Sequence, residues 1–135
     1  KELDKLIEGL NLGDRVYFSG AIRGPAKYLL MKNSKVYIQM SWSEGFGNTV
    51  YEAMSQGSVG IVSRATALSE IVKDGTNGFT LSPTDYTQIA STINYILDKR
   101  NKKYIEKMKL NNKLFAGYRT WNYVAMEFEQ LLLKK

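Results

Sequence analysis

The sequence predicts an α/β fold built on a parallel sheet. Two observations indicate it: apolar residues recur alternately at helical and at extended spacing, and turns containing glycine or proline separate several of the segments. A chain of 135 residues with 44% apolar side chains is also long enough to bury the core of one domain. We therefore predict a single globular domain over residues 1–135.

The first half of the chain alternates predicted helices with predicted strands. Leu6 and Leu10 belong to an apolar face at helical spacing that indicates a first helix. Proline is well placed in the first turn of the second helix, because that position needs no N–H donor. The predicted elements are helix Glu2–Leu10, strand Val16–Ser19, helix Pro25–Lys32, strand Val36–Met40 and a helix that begins near Asn48.

The second half begins with strands and ends in helices. Its last helix carries an apolar stripe that includes Trp121, Phe128 and Leu132 at helical spacing. The predicted elements are strand Val59–Ser63, a short helix near Leu68–Val72, strand Gly78–Leu81, and helices near Asp85–Asp98, Lys102–Ala116 and Trp121–Leu133.

This alternation predicts how the elements are arranged. Consecutive parallel strands are joined by right-handed crossovers, so the helices lie against the sheet. We therefore predict a Rossmann-like parallel sheet of about four strands with helices on both faces. The helices near Pro25, Asn48 and Leu68 should lie on one face. Helix Glu2–Leu10 and part of the C-terminal three should cover the other.

Composition excludes several classes of chemistry. The chain has no cysteine and no histidine, which removes disulfides, thiolate nucleophiles and the commonest general base and metal ligand. The sequence contains no D-x-D pair, the pattern that would indicate a metal site. We therefore expect neither a metal nor a cofactor. No apolar run approaches the length of about 18 residues that a membrane span needs. These features predict a cytoplasmic protein.

A basic segment carries much of the net charge of +6. Seven of the 19 lysines and arginines lie in Lys99–Lys113. Such a segment could bind anionic lipid or nucleic acid. A solvated helix face explains it better, because Ile105 and Met108 fall on one side with Tyr104 and Phe115. We therefore expect no nucleic-acid partner and weak or no membrane contact.

The stretch SWSEGFGNTVYEAMSQG, residues 41–57, follows the predicted strand Val36–Met40. In open α/β sheets, ligands bind beyond the carboxyl ends of the strands. Gly45 and Gly47 allow a sharp turn and a close approach of the backbone to a ligand. The free N–H groups near Asn48–Val50, where the next helix begins, suit a phosphate. The stretch therefore has the outline of an anion site.

Two glutamates flank this turn, and each has two interpretations. Glu44 either faces the group attached to the phosphate or is an ordinary solvated acid of a loop. Glu52 either accepts hydrogen bonds from a diol or forms a capping box with Thr49, since T-x-x-E is the spacing of that motif. With the helix start, the first interpretation of each describes a nucleotide-sugar donor site.

The whole string favours that donor site. EGFGNTVYE, Glu44–Glu52, followed by AMSQG, resembles the E-x7-E motif in the C-terminal, donor-binding domain of the retaining "group 1" GT-B glycosyltransferases. LNLGDRVYFSG and EIVKDGTNGFTLSPTD resemble other segments of that domain, and Thr120-Trp121 resembles its aromatic near the last helix. The resemblance covers nearly the whole chain. Its departures include ATALS, where relatives often carry a glycine-rich run, which leaves the loop Arg64–Ser69 undefined.

The resemblance implies a role for each site residue. It places Glu44 on the donor sugar, nearest the chemistry, and Glu52 on the ribose. The residues implied to meet sugar and diphosphate are Gly45, Phe46, Gly47, Asn48 and Thr49, and those implied to lie near the base are Ala21, Ile22 and Arg23.

The resemblance also implies a partial domain. A full enzyme of the family has an N-terminal acceptor domain, and its donor domain begins with two strands and a basic pair that this sequence does not contain. In the family's strand order, 3-2-1-4-5-6, the missing strands separate Val16–Ser19 from Val36–Met40. We expect these two strands to pair directly and close the sheet. The alternative is a homodimer through the exposed strand edges.

The function implied for the full-length parent is transfer of a sugar from a nucleoside-diphosphate sugar to a glycan or lipid-linked acceptor, bound through the missing domain. With a lipid-linked acceptor, the protein would lie at the inner face of the membrane. The chain alone should be inactive. The alternative function is a non-catalytic domain that kept the fold and binds a nucleotide sugar or another protein.

Overall fold

In the part of the chain that the structure describes, the fold consists of three parallel strands and seven α-helices. The computed structural model of the protein describes residues 2–118 and 120–133. In chain order the elements are α1 (Glu2–Gly9), α2 (Pro25–Asn33), β1 (Val36–Gln39), α3 (Asn48–Ser55), β2 (Val59–Ser63), α4 (Leu68–Ile71), β3 (Gly78–Leu81), α5 (Tyr86–Leu97), a 3₁₀ turn (Lys99–Asn101), α6 (Lys102–Tyr118) and α7 (Trp121–Leu133). None of the helices within these ranges is long and apolar enough to cross a membrane.

The strands lie in the order β1-β2-β3, and both neighbouring pairs are parallel. The central strand β2 is buried along its whole length. Its Gly60 lies opposite Gly78 of β3, and a Cβ added at Gly78 would come 2.6 Å from the Gly60 carbonyl oxygen. The predicted parallel α/β sheet is confirmed, with three strands in place of about four.

Helices cover both faces of this sheet, as predicted. On one face, α3 and α4 pack on β2 through a buried cluster that includes Met54, Val62 and Leu68. On the other face, α5 and α6 bury Ile96 and Met108 against β2 and β3. Helix α2 contacts α3. Each face therefore has its own apolar core, and α6 contributes to both, since its Ala116 packs against the first core and its Met108 is buried in the second.

The predicted strand Val16–Ser19 is wrong. These residues form no regular element, and Tyr17 and Phe18 leave 80% and 63% of their surface exposed. The backbone N–H of Val16 instead donates to Leu12, 3.0 Å away, within the preceding turn. A β-strand makes its backbone hydrogen bonds with a neighbouring strand and not within itself. Apolar alternation therefore gives a strand only where a neighbouring strand pairs with it. The expected pairing with Val36–Met40 is therefore wrong as well.

Helix α1 does not cover the sheet, contrary to expectation. None of its residues is buried, and Leu3 and Leu6, with Leu10 just beyond its end, are each more than half exposed. Helix α7 has the predicted apolar stripe but likewise buries none of its described residues. Helical periodicity therefore identified the apolar faces correctly, but it did not identify the surface against which they pack.

Candidate donor site

The candidate site begins where β1 ends. After Gln39 the chain leaves the carboxyl edge of the sheet, turns through residues 40–47 and enters α3. Gly47 is the N-cap of α3 and has a left-handed backbone, with φ 79°. A Cβ at this position would lie 2.2 Å from Leu68 Cδ2. Glycine is therefore required twice at this turn, by the backbone conformation and by the contact with α4.

The start of α3 keeps free N–H groups, as the anion-site interpretation requires. Val50 and Tyr51 donate their backbone N–H groups to the Gly47 carbonyl oxygen, at 2.9 and 3.4 Å. Within residues 2–118, the N–H groups of Asn48 and Thr49 have no acceptor. Unpaired N–H groups at a helix start carry partial positive charge and suit an anionic oxygen. The predicted group of three donors is thus reduced to two.

Glu44 is held in place by hydrogen bonds. Its Oε2 accepts from the side-chain amide of Gln39 at 2.8 Å, and its Oε1 accepts from the Phe46 N–H at 3.4 Å. The side-chain amide oxygen of Gln39, Oε1, in turn accepts from the hydroxyls of Tyr37, at 2.7 Å, and Thr49, at 2.9 Å. Glu44 therefore belongs to a hydrogen-bonded network that joins β1, the loop and α3.

Glu52 points toward α2. Its Oε1 accepts from Lys27 Nζ at 2.7 Å and from the Tyr28 hydroxyl at 3.3 Å. Its Oε2 is buried and has no hydrogen-bond partner among the described residues. A carboxylate oxygen without a donor is costly in a buried position, and a ligand hydroxyl is one donor that would relieve the cost. Glu52 is thus paired on one oxygen and unsatisfied on the other.

The capping-box interpretation of Glu52 is wrong. The N-cap of α3 is Gly47 and not Thr49, and no side chain caps this helix. Thr49 lies one residue inside α3, where its hydroxyl donates to Gln39 on β1. Both members of the T-x-x-E pair are therefore engaged with other elements of the fold.

The two glutamates share one electrostatic environment, which Tyr37 reports. Burial raises the pKa of the Tyr37 hydroxyl above 10.0, and the negative charges of Glu52 and Glu44 raise it further, while Thr49 and the positive charge of Lys27 act in the opposite direction. The hydrogen bond to Glu52 is the main cause that raises the pKa of Lys27 above 10.5. Both carboxylates therefore act on the same half-buried hydroxyl.

A polar pocket opens beside Glu44. It has a volume of about 430 Å³ and lies between the loop that follows β1 and the loop that follows β2. Arg64 is anchored at its edge, because its guanidinium donates twice to the Thr80 carbonyl oxygen, at 3.1 and 3.3 Å. The residues that line the pocket are Trp42, Ser43, Glu44, Arg64, Ala65, Thr66, Ala67, Ser69 and Glu70. The loop left undefined by the sequence thus forms a wall of this pocket, and its Ala67 N–H donates to the backbone carbonyl oxygen of Glu44 at 3.4 Å.

The structure does not bring every predicted site residue together. Ala21, Ile22 and Arg23 lie in an irregular segment just before α2. In the described part of the chain, no hydrogen bond or ion pair joins them to Glu44 or Glu52. Their placement near a base stays a prediction.

Sequence reasoning missed the partners of both glutamates, Gln39 for Glu44 and Lys27 with Tyr28 for Glu52. One signal was available: Gln39 is the polar residue of the VYIQM strand and lies at its carboxyl end, where α/β sheets bind ligands. No comparable signal marked Lys27, which lies 25 residues before its partner.

The architecture, a parallel sheet with a glycine turn and helix start beyond β1, defines a nucleotide-binding type of α/β domain. Solved structures share it. HepE of Anabaena in complex with UDP-glucose is 28% identical with a TM-score of 0.80 over 87% of this chain and 32% of that chain. The C-terminal domain of a group 1 glycosyl transferase, LpcC of Francisella tularensis, is 26% identical with a TM-score of 0.73 over 87% of this chain and 60% of that chain.

Sequence comparison identifies the family. Residues 1–115 match the family Glycosyl transferases group 1. The chain belongs to this family, and its recognition as a C-terminal GT-B domain is confirmed. Sucrose synthase of Thermosynechococcus vestitus is 29% identical over 130 residues, which are 90% of this chain and 16% of the synthase. The chain therefore spans well under two thirds of the length of such relatives.

Proposed function

We propose that the chain is the donor-binding part of a retaining glycosyltransferase, which transfers a sugar from a nucleoside-diphosphate sugar to a glycan or lipid-linked acceptor. The observation that carries the proposal is the arrangement around the start of α3. Two unpaired N–H groups lie between Glu44, which lines a polar pocket, and Glu52, which keeps one unsatisfied oxygen. Family membership supports the same activity.

Each part of this site has a chemical task in the proposed reaction. Negative charge builds on the departing diphosphate during transfer, and N–H donors fixed at that position lower the barrier. The N–H groups of Asn48 and Thr49 are such donors. The carboxylate of Glu44 orients the sugar from the pocket side, and Glu52 accepts hydrogen bonds from the ribose diol. We assign no proton transfer or covalent step to either glutamate.

We propose a uridine diphosphate sugar as the donor to test first, because HepE is solved with UDP-glucose. The acceptor would bind to a further domain of a longer polypeptide, so the 135-residue chain alone is expected to bind donor without transferring sugar. Ala21, Ile22 and Arg23 are proposed to approach the base once a nucleotide is bound.

Calorimetric titration of the chain and of the full-length protein with UDP, GDP, ADP and UDP-glucose tests the proposal. Glu52→Gln should weaken both UDP and UDP-glucose about tenfold or more, since it alters the acceptor of the ribose hydroxyls. Glu106→Gln is the matched control, because Glu106 also pairs with a lysine, Lys109, but lies on α6 away from the site. Glu106→Gln should bind as the wild type does.

Three outcomes are informative. Equal UDP affinity for wild type and Glu52→Gln would contradict the ribose role. Binding without transfer by the full-length protein, across the donor panel and with glycan and lipid-linked acceptors, would favour the non-catalytic alternative. Absence of binding to all four nucleotides by the full-length protein would contradict the proposal as a whole.

A further inference from the structure

Gln39 occupies an unusual position in the site. It is the last residue of β1, and its backbone is fixed by the register with Val62 of the central strand. The side chain is half-buried and lies between the start of α3 and the loop that carries Glu44. A polar side chain anchored to a sheet in this way is more rigid than any side chain of the loop.

The hydrogen bonds of Gln39 allow only one orientation of its amide. The carbonyl oxygen accepts from the hydroxyls of Tyr37 and Thr49, and the NH₂ group donates to Glu44 Oε2. Glu44 as a carboxylate can only accept, so a rotated amide would direct its oxygen at another acceptor. The carboxylate therefore decides which way the amide faces, and the two hydroxyls, which donate to the amide oxygen, hold it in that orientation.

Without Gln39, Glu44 would have little to fix it. Among the described residues, the other hydrogen bond to its carboxylate comes from the Phe46 N–H, is 3.4 Å long, and lies within the same loop. That loop contains Gly45, which imposes few limits on the backbone and has nothing within 4 Å of where a Cβ would lie. The bond from Gln39 is shorter, at 2.8 Å, and originates in the sheet.

We propose that Gln39 is a positioning residue that holds the Glu44 carboxylate in the orientation that transfer requires. The inference rests on the proposed function, in which Glu44 contacts the donor sugar. Gln39 itself touches no substrate in this account. A displacement of about 1 Å at a reacting centre can cost up to about a hundredfold in rate, so one hydrogen bond of this kind can control turnover.

A purely structural role makes a different prediction. Gln39 also links β1 to α3 through Thr49, so its loss could loosen the fold without any effect specific to Glu44. Gln39→Glu separates the two roles. It keeps the length of the side chain and both acceptor sites for Tyr37 and Thr49, but it replaces the N–H donor with a second anion facing Glu44. A structural role makes Gln39→Glu milder than Gln39→Leu. The positioning role makes it equally or more damaging.

The experiment measures kcat and the UDP dissociation constant for the full-length transferase with Gln39→Leu, Gln39→Glu and Glu44→Gln. We expect kcat to fall about tenfold or more in both Gln39 variants, with Gln39→Glu at or below Gln39→Leu. UDP lacks the transferred sugar that Glu44 is proposed to contact, so its dissociation constant should stay within about twofold of the wild-type value.

The hydroxyl partners provide a graded test. Thr49→Val and Tyr37→Phe each remove one of the two donors that orient the amide, and each should lower kcat about two- to fivefold. Thr49→Ser retains a hydroxyl and should restore kcat to near the wild-type value. A Thr49→Ser variant as slow as Thr49→Val would contradict the orienting role.

The failures of the two proposals can be told apart. If Glu44→Gln keeps wild-type kcat, the role of Glu44 in transfer is overturned, and the positioning role with it. If Glu44→Gln abolishes transfer while both Gln39 variants turn over as the wild type does, only the positioning role is overturned. A kcat for Gln39→Glu clearly above that of Gln39→Leu would also overturn it, because that order indicates a structural role.

Discussion

Helices α3 and α7 are both short and carry apolar side chains at helical spacing, yet they lie in opposite environments. Helix α3 buries Val50, Ala53 and Met54 in the core. Helix α7 is longer, but its described residues include no buried side chain, and Trp121 is 82% exposed. Periodicity specifies a face, whereas burial requires a partner surface. The site is built on α3 because that helix is fixed on both sides, by β1 and by α6.

The largest expected effect is the loss of stability on truncating the buried helix. Met54→Ala removes a side chain that is 1% exposed and should lower the free energy of unfolding by about 2–5 kcal/mol. Leu131→Ala truncates a side chain of α7 that is 68% exposed and should change it by less than about 0.5 kcal/mol. Urea denaturation of the chain measures both. Similar losses for the two variants would show that α7 is packed in solution.

A smaller effect is expected at the turn that leads into α3. Gly47→Ala should destabilise the chain by about 1–3 kcal/mol, because alanine is strained at this φ and its Cβ would clash with Leu68. Gly45→Ala is the matched control two residues away, where a Cβ would meet nothing within 4 Å. It should stay within about 0.5 kcal/mol of wild type. Urea midpoints measure the two, and equal midpoints would contradict the close contact between the turn and α4.

The next effect is a loss of folding stability at alkaline pH. It should arise from the hydrogen-bonded groups around Glu44 and Glu52 and not from the exposed helices. The folded state raises the pKa of Tyr37 above 10.0, so the native state holds this proton longer than the unfolded chain does. The resulting stability is present below pH 10.0 and is lost as the pH rises toward the folded pKa. Lys27 contributes to the same loss of stability from pH 10.5 upward. Its ion pair with Glu52 favours the protonated ammonium group, so the native state holds this proton longer as well.

Urea denaturation between pH 8 and 11 measures this dependence. Tyr37→Phe should lose stability less steeply than wild type above pH 10.0, because phenylalanine has no proton to release. Lys27→Met should flatten the remaining dependence above pH 10.5. Superimposable curves for all three proteins would contradict the placement of Tyr37 and Lys27 beside the two carboxylates.

These differences explain how much the sequence could predict. The strands Val59–Ser63 and Gly78–Leu81 are confirmed at the predicted boundaries. Their short, nearly continuous apolar runs are typical of strands that are covered on both faces of a parallel sheet. Asp85, predicted as the first residue of α5, is its N-cap and accepts from the Gln88 N–H. Val16–Ser19 has equally suitable side chains but no strand with which to pair. Local pattern alone does not distinguish these cases.

The candidate site shows the same limit. The loop and both glutamates were predicted, since a glycine turn after a strand is a local signal. The bonds to Gln39 and Lys27 were not, because they join different elements. Lys27 reaches Glu52 across 25 residues, and only the packing of α2 on α3 brings them together. The roles of the predicted residues in binding stay predictions until the nucleotide titrations are done.

The smallest expected effect concerns α6, which has a buried side, as α3 does, and an exposed side, as α7 does. Its apolar side is buried through Ile105 and Met108, as the solvated-face interpretation of Lys99–Lys113 predicts. The cations on its other side are dispersed along a helix already anchored to the sheet. Attraction to anionic lipid is then purely electrostatic and is screened over about 8 Å at physiological salt. We expect little sedimentation of the chain with phosphatidylserine vesicles at 0.15 M salt, and no further loss when Lys102, Lys103 and Lys107 are changed to glutamate. Strong sedimentation that this triple change abolishes would show that the basic side of α6 docks to membranes.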